Sequence, residues 1–184
     1  YFEDFMAYKS EVFVDAGGFD GDTTEEFCRR DPDYKKVYLF EPSLTNMEAA
    51  QVRLKSFKNI KFLTIGLSDK EDVLHFNPDS GSASAVTDGE GESININVST
   101  LDKEIDEPVS FIKMDLEGWE MKALAGSEQH IKNDAPKLAI AVYHGACDFR
   151  EISRYVLSLN QKYKIYLRHY TQGWSETVMF FIQA

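Results

Sequence analysis

The sequence predicts an α/β fold built on one mostly parallel sheet, and three observations carry that prediction. Strand-like and helix-like segments alternate from residue 12 to residue 64. A glycine-rich turn joins the first strand to the first helix, and the chain closes with two strand-like runs that have no helix between them. A β-α-β order implies parallel strands joined by right-handed crossovers, and two successive strands without a helix imply antiparallel neighbours. The chain's 184 residues are enough for one such domain burying about 70% of its unfolded surface, and too few for two.

Residues 1–10, aromatic and acidic, are expected to form a lead-in helix packed on the sheet, with residues 11–184 as a single domain. Val12, Phe13 and Val14 read as a strand covered on both faces, and Asp15 stands where it should end. Gly17, Gly18 and Gly21 let the backbone turn tightly and come close to a ligand, while Asp22, Thr23 and Thr24 suit the cap of a helix expected over 23–30. A strand over 37–41, a helix over 43–57 and a strand over 60–64 follow. Between 68 and 102 the rhythm changes. Short strands at 73–76 and 94–98 flank the Ser-, Gly- and Asp-rich run 77–93, which reads as a partly mobile polar loop over the active-site edge of the sheet. The core resumes with a strand over 109–114, a helix over 119–131, a strand over 138–143 and a helix over 149–160. Runs 163–168 and 177–182 form the closing antiparallel pair.

A hydrophobic content of 43% with 13% aromatic residues excludes a disordered chain, and no apolar run approaches the roughly 20 residues of a membrane span. A soluble, cytoplasmic protein without a membrane partner is expected. The net charge of -11 and the lack of a Lys/Arg cluster argue against a nucleic-acid partner, which leaves small molecules or carbohydrates. Cys28 and Cys147 lack metal-ligand spacing and read as free thiols. The chain opens at Tyr1 without a signal peptide and is expected to be a piece of something longer.

Ligands of open parallel sheets bind beyond the carboxyl ends of the strands. Those ends carry Asp15, Glu41, Asp115 with Glu117, and His144. The first loop reads G-G-x-x-G rather than the G-x-G-x-x-G of dinucleotide sites, and Asp15, Asp20, Asp22 and Glu25 crowd the place a pyrophosphate would take. Such a loop suits a ligand with a cationic group, S-adenosylmethionine better than NAD or ATP. Glu41 follows Gly21 by 20 positions, the separation at which an acid on the second strand accepts hydrogen bonds from both ribose hydroxyls of an adenosine cofactor. In F-I-K-M-D-L-E-G (111–118), alternation sends Lys113, Asp115 and Glu117 to one face. Lys113 is expected to pair with a carboxylate, because burying it alone costs several kcal/mol, and Asp115 and Glu117 to lie at the cleft. The alternative is an ion-pair network that only ties strand to helix. His144 ends a buried strand at the same cleft, and an ordinary pKa of about 6.5 suits proton removal near neutrality, although a satisfied structural histidine fits equally well. No compact ligand spacing supports a metal, and none is assigned.

The segments V-F-V-D-A-G-G-F-D-G-D-T, L-F-E-P-S, the T-L-D at 100–102 and F-I-K-M-D-L-E-G-W-E-M-K-A-L-A-G resemble the FkbM-type S-adenosylmethionine-dependent methyltransferases, from about Glu11 to the closing hairpin. The resemblance implies a class I methyltransferase fold, a Rossmann-like three-layer α/β sandwich whose seven-stranded, mostly parallel sheet is ordered 3-2-1-4-5-7-6 with an antiparallel last strand. It also implies O-methylation of a hydroxyl on a small molecule, sugar or polysaccharide building block. By the same carry-over Asp15, Gly17 and Gly21 line the methionine part of the cofactor and Glu41 its ribose, while Gly66, Leu67 and Ser84 flank the adenine or the site mouth. Asp115, beside the cofactor, joins Glu117 and His144 as the catalytic group, with His144 the first choice of general base. One departure is Val142-Tyr143-His144, where relatives often carry an acid before the histidine. The competing readings are a cofactor-binding module without activity and an NAD-dependent oxidoreductase.

Overall fold

The computed structural model describes residues 1–76 and 94–183. In chain order the elements are β1 (Val12–Ala16), α1 (Asp22–Arg30), β2 (Lys36–Phe40), α2 (Leu44–Arg53), β3 (Ile60–Leu63), β4 (Gly66–Leu67), β5 (Asp72–Phe76), β6 (Ile94–Ser99), α3 (Leu101–Glu104), β7 (Phe111–Met114), α4 (Glu120–Ala125), α5 (Glu128–Asn133), β8 (Lys137–Ala141), α6 (Asp148–Leu159), β9 (Tyr163–His169) and β10 (Thr177–Gln183). Seven strands form one sheet in the order β3-β2-β1-β7-β8-β10-β9, with β10 running antiparallel to β8 and β9. With the three strands of the smaller sheet set aside, this is the expected 3-2-1-4-5-7-6 order. The parallel pairs β1·β2, β1·β7, β2·β3 and β7·β8 point their carboxyl ends the same way.

Strand alternation divides the core. Val14, Tyr38, Ile112 and Ile140 face one side and meet Leu124, Ile131, Ile152 and Val156 of α4, α5 and α6. Phe13, Val37, Phe111 and Phe180 face the other, where Phe27 of α1 packs, and Leu39 meets Met47 and Ala50 of α2. Helices on both faces of a mostly parallel sheet give the expected three layers. On the α1 face the rings of Phe13 and Phe27 stand 4.2 Å apart, and those of Phe13 and Phe111 4.7 Å.

Two expectations are corrected. Residues 1–10 form turns, not a lead-in helix; the Met6 N–H donates to Glu3 O at 2.9 Å. So short a segment does not sustain a helix by itself, and here the aromatic side chains spread to separate partners instead. Phe2 meets Phe13, Phe27 and Phe111, while Phe5 stacks on Tyr166 at 4.6 Å. The single helix expected over 119–131 is two helices broken at Gly126 and Ser127. A Cβ on Gly126 would lie 1.9 Å from the Ser68 carbonyl oxygen, so the glycine admits the backbone leading out of β4, and its own carbonyl accepts from Asp102 N–H at 3.0 Å. The short strands expected at 73–76 and 94–98 are present as β5 and β6, and with β4 they form a second sheet, in which β6 pairs parallel with β4 and antiparallel with β5. The polar run 77–93 lies outside the described residues.

Among the described residues no helix is long and apolar enough to cross a membrane. Cys28 is buried in α1, and Cys147, just before α6, is exposed; both are free. Burial pushes the Cys28 thiol up to about 11. Iodoacetamide applied to the native protein at neutral pH should therefore label Cys147 alone, as mass spectrometry would read; equal labelling of Cys28 would contradict this packing.

Candidate active site

The carboxyl ends of β1, β2 and β7 open on a cavity of about 670 Å³, within the range of small-molecule sites. Its floor is the turn after β1. Gly17, with φ 78°, receives no side chain because a Cβ there would stand 1.9 Å from Asp115 O. Gly17 and Gly18 both donate their N–H to Phe40 O at 3.0 Å, which sets the loop against the end of β2.

Lys113 holds this loop from below. Its ammonium donates to Gly17 O at 2.7 Å and lies 3.0 Å from Asp15 Oδ1, while Asp15 Oδ2 accepts from Thr24 Oγ1 at 2.7 Å. The expected pairing of Lys113 is met, and the network ties β7, β1, the glycine loop and α1 together. Asp15 is fully buried and does not line the cavity, which corrects its expected place beside the methionine part. Gly21 likewise faces α2, with Ala50 and Leu54 against it, and not the cavity. The crowd of acids in the loop is also reduced. Asp20 pairs with Arg53, and Glu25 with Arg29 at 2.7 Å and Arg53 at 3.4 Å, so only Asp22 of the four reaches the cavity. Neutralised acids do not select a cationic ligand.

Glu41 follows the end of β2, directly against the glycine loop, and is fully prepared as an acceptor. Its Oε2 takes the Phe19 N–H at 3.1 Å, and its Oε1 takes the Ser43 N–H at 2.9 Å and Asn46 Nδ2 at 3.4 Å. Ser43 caps α2 with its side chain accepting from Asn46 N–H, which brings Asn46 to the carboxylate. Gly66 and Leu67 of β4 line the wall with Leu74, Ile96 and Val98 of the small sheet. Ser84 lies outside the described residues.

Beyond β7, Asp115 and Glu117 both line the cavity, as expected. Asp115 Oδ2 accepts from Tyr1 Oη at 2.6 Å and Oδ1 from Tyr143 Oη at 3.3 Å. Burial and the neighbouring Asp115 carboxylate raise the pKa of both phenols, so they remain donors. Glu117 adopts φ 54° and keeps its side chain largely in solvent. His144 stands behind these two acids. Its Nδ1 is 2.9 Å from Oε1 of the buried Glu120, which also accepts the Leu116 N–H at 2.7 Å. Burial opposes charge on the ring, but the hydrogen bond with Glu120 and the fields of Glu120, Asp115 and Glu117 prevail and raise its pKa above the usual 6.5. Nε2 is buried and does not open on the cavity. His144 thus stands behind Asp115 and Glu117 and not on the cavity surface, and its pKa is raised above the ordinary value expected from the sequence.

Sequence reasoning missed Phe19, Asn46, Tyr143, Glu176 and Tyr1 as lining residues. Asn46 had a legible signal, three residues after a Ser suited to cap α2. Tyr143 had another, as the residue standing where an acid was expected; Tyr1 and Glu176 reach the site through tertiary folding alone.

This sheet order, with a glycine loop after the first strand and an acid closing the second, defines a class I methyltransferase fold. The methyltransferase FkbM domain model matches residues 15–165. The chain belongs to that family. A methyltransferase FkbM from Methylobacillus flagellatus KT superimposes with a TM-score of 0.82 at 28% identity, covering 96% of this chain and 45% of that one; the chain thus spans less than half of that protein. An rRNA methylase from Streptococcus thermophilus has a TM-score of 0.61 at 18% identity, covering 95% of this chain and 87% of that one. Fibrillarin from Aeropyrum pernix, solved with natively bound S-adenosyl-L-methionine, has 0.59 at 12%, covering 95% and 67%. The last two likenesses concern the fold alone. No curated protein sequence matches the chain.

Removing the Lys113 ammonium leaves Asp15 buried and unpaired, a change of about 3–5 kcal/mol in such networks. Lys113→Met should lower the urea midpoint correspondingly. An unchanged midpoint would show that the network does not hold the loop.

Proposed function

We propose that this domain binds S-adenosylmethionine in the cavity and transfers its methyl group to a hydroxyl of a small molecule or carbohydrate. The observation that carries the reading is Glu41, a nearly buried carboxylate held by three donors on the cavity rim, at the end of the second strand. A carboxylate so fixed accepts both hydroxyls of a ribose without reorganising. Family membership and the size of the cavity support the same reading, and the net charge of -11 favours a small acceptor over a nucleic acid.

When bound, S-adenosylmethionine would supply an electrophilic methyl carbon on its sulfonium for an acceptor oxygen, with S-adenosylhomocysteine as the leaving group. The chain's own part is positioning. Gly17 keeps the floor free of side-chain atoms, Glu41 fixes the ribose end, and Asp115 and Glu117 receive the acceptor with His144 and Glu120 behind them. Alignment of reacting atoms at roughly 3–3.5 Å accounts for much of the acceleration in such transfers. The acceptor's proton leaves through the Asp115, Glu117 and His144 cluster.

Thermal melting should show stabilisation by S-adenosylmethionine and S-adenosylhomocysteine but not by NAD or ATP; stabilisation by NAD alone would contradict the proposal. Glu41→Ala removes charge-assisted hydrogen bonds worth about 1.5–3 kcal/mol each and should weaken cofactor binding at least tenfold by calorimetry. His144→Ala should lower kcat about 10²-fold or more while cofactor Kd changes little. Unaltered turnover would remove the histidine from the reaction.

A further inference from the structure

The sequence shows no compact metal-ligand spacing, yet the fold brings three donors together from two separate strand ends. Asp115 and Glu117 leave β7, His144 leaves the end of β8, and one ligand atom from each lies within 4.8 Å of the others. The distances suit an ion better than a closed hydrogen-bond network. His144 Nε2 stands 3.6 Å from Asp115 Oδ1 and 3.5 Å from Glu117 Oε2, too far for good hydrogen bonds. Tetrahedral ligands with bonds of about 2.0–2.2 Å stand about 3.4 Å apart, close to those separations.

The imidazole gives a second and independent indication. Its side chain is only 8% exposed, and Nε2 has no hydrogen-bond partner although it points into the cluster. A buried polar atom left without a partner costs about 1–3 kcal/mol unless something outside the chain meets it. On the other side of the ring, Nδ1 is anchored at 2.9 Å on Glu120, which is itself held by the Leu116 N–H. An imidazole anchored in this way on a carboxylate keeps its proton on Nδ1 and turns the Nε2 lone pair toward a metal. Charge points the same way. Asp115, Glu117 and Glu120 bring three carboxylates around one imidazole, and among the described residues no Lys or Arg forms an ion pair with any of them.

We propose that Asp115, Glu117 and His144 form a divalent-cation site at the acceptor end of the cavity, with Glu120 as the residue that orients the imidazole. One imidazole nitrogen with two carboxylate oxygens suits Mn²⁺ or Zn²⁺ better than Ca²⁺, and three protein ligands leave a position open for an acceptor oxygen. A hydroxyl held on such an ion is fixed in place and loses its proton more readily, which explains how a cluster whose histidine is sealed from the cavity assists transfer to an alcohol. The consequence for turnover rests on the methyl-transfer reading; binding of the ion does not.

The test is titration of the chelator-treated chain with Mn²⁺, read by electron paramagnetic resonance and calorimetry. One ion per chain is expected, with affinity reduced at least tenfold in Glu117→Gln and in His144→Ala, and about 10–100-fold in Glu120→Gln. Glu117 is largely in solvent, so its variant keeps the test open if the buried ones fail to fold. No binding at millimolar Mn²⁺, or binding unaltered in both Glu117→Gln and His144→Ala, would overturn the site. Methyl transfer undiminished in excess chelator would overturn the ion's part in the reaction while leaving the methyltransferase reading intact. Mn²⁺ bound as described in a chain that binds no S-adenosylmethionine would support the site and refute that reading.

Discussion

The buried ammonium of Lys113 is the interaction on which the site depends. It sits between the carbonyl of Gly17 and the carboxylate of Asp15, and Asp15 reaches on to Thr24 in the first helix. A charge taken from water at this depth is tolerated only with partners on every side. Those partners are the last residue but one of β1 and the first glycine of the turn, and Asp15 carries the connection on to α1. Satisfying one lysine therefore fixes the course of the loop that forms the cavity floor. Two residues further along the same chain, Asp115 arrives at the cavity wall because Lys113 cannot move. The loop and the acidic cluster thus meet at the carboxyl ends of two paired parallel strands, β1 and β7.

Backbone proximity completes the arrangement. The contact between Gly17 and the Asp115 carbonyl leaves no room for a Cβ, so the glycine loop and the turn after β7 share a boundary. The same device recurs at Gly126 against Ser68, where the second sheet docks on the helical layer. The first contact bounds the cavity floor without a side chain, which leaves that part of the interior open to a ligand. Glu41, held against the same loop by the backbone N–H of Phe19 and at the start of α2 by that of Ser43, belongs to the same frame.

Much of the fold was legible in the sequence because local pattern and tertiary order agree in a parallel sheet. The apolar runs of β1, β2, β7 and β8 are covered on both faces, and their alternation with helices dictates the topology. The misreadings have physical causes. Residues 1–10 carry aromatic side chains, Tyr1, Phe2, Phe5 and Tyr8, that all pack on the core of the α1 face, so packing overrode any helical preference. The long helix broke at Gly126 because a distant backbone segment needed the space. Within the site, strand ends named Glu41, Asp115, Glu117 and His144 in advance, since those positions follow from topology. The fates of Asp15 and Asp20 did not, because Lys113 and Arg53 meet them only after folding, whereas Glu25 has Arg29 four residues on along α1, a pairing the helix itself dictates. The relation of His144 to Glu120 was hidden for a similar reason: it joins two turns 24 residues apart.

If one cavity holds the cofactor between Glu41 and the acidic cluster, a crystal structure of the chain with S-adenosylhomocysteine should show both ribose hydroxyls on the Glu41 carboxylate, the homocysteine portion over Gly17, and the sulfur turned toward Asp115. A ribose bound away from Glu41, or a sulfur facing away from Asp115 and Glu117, would contradict that arrangement.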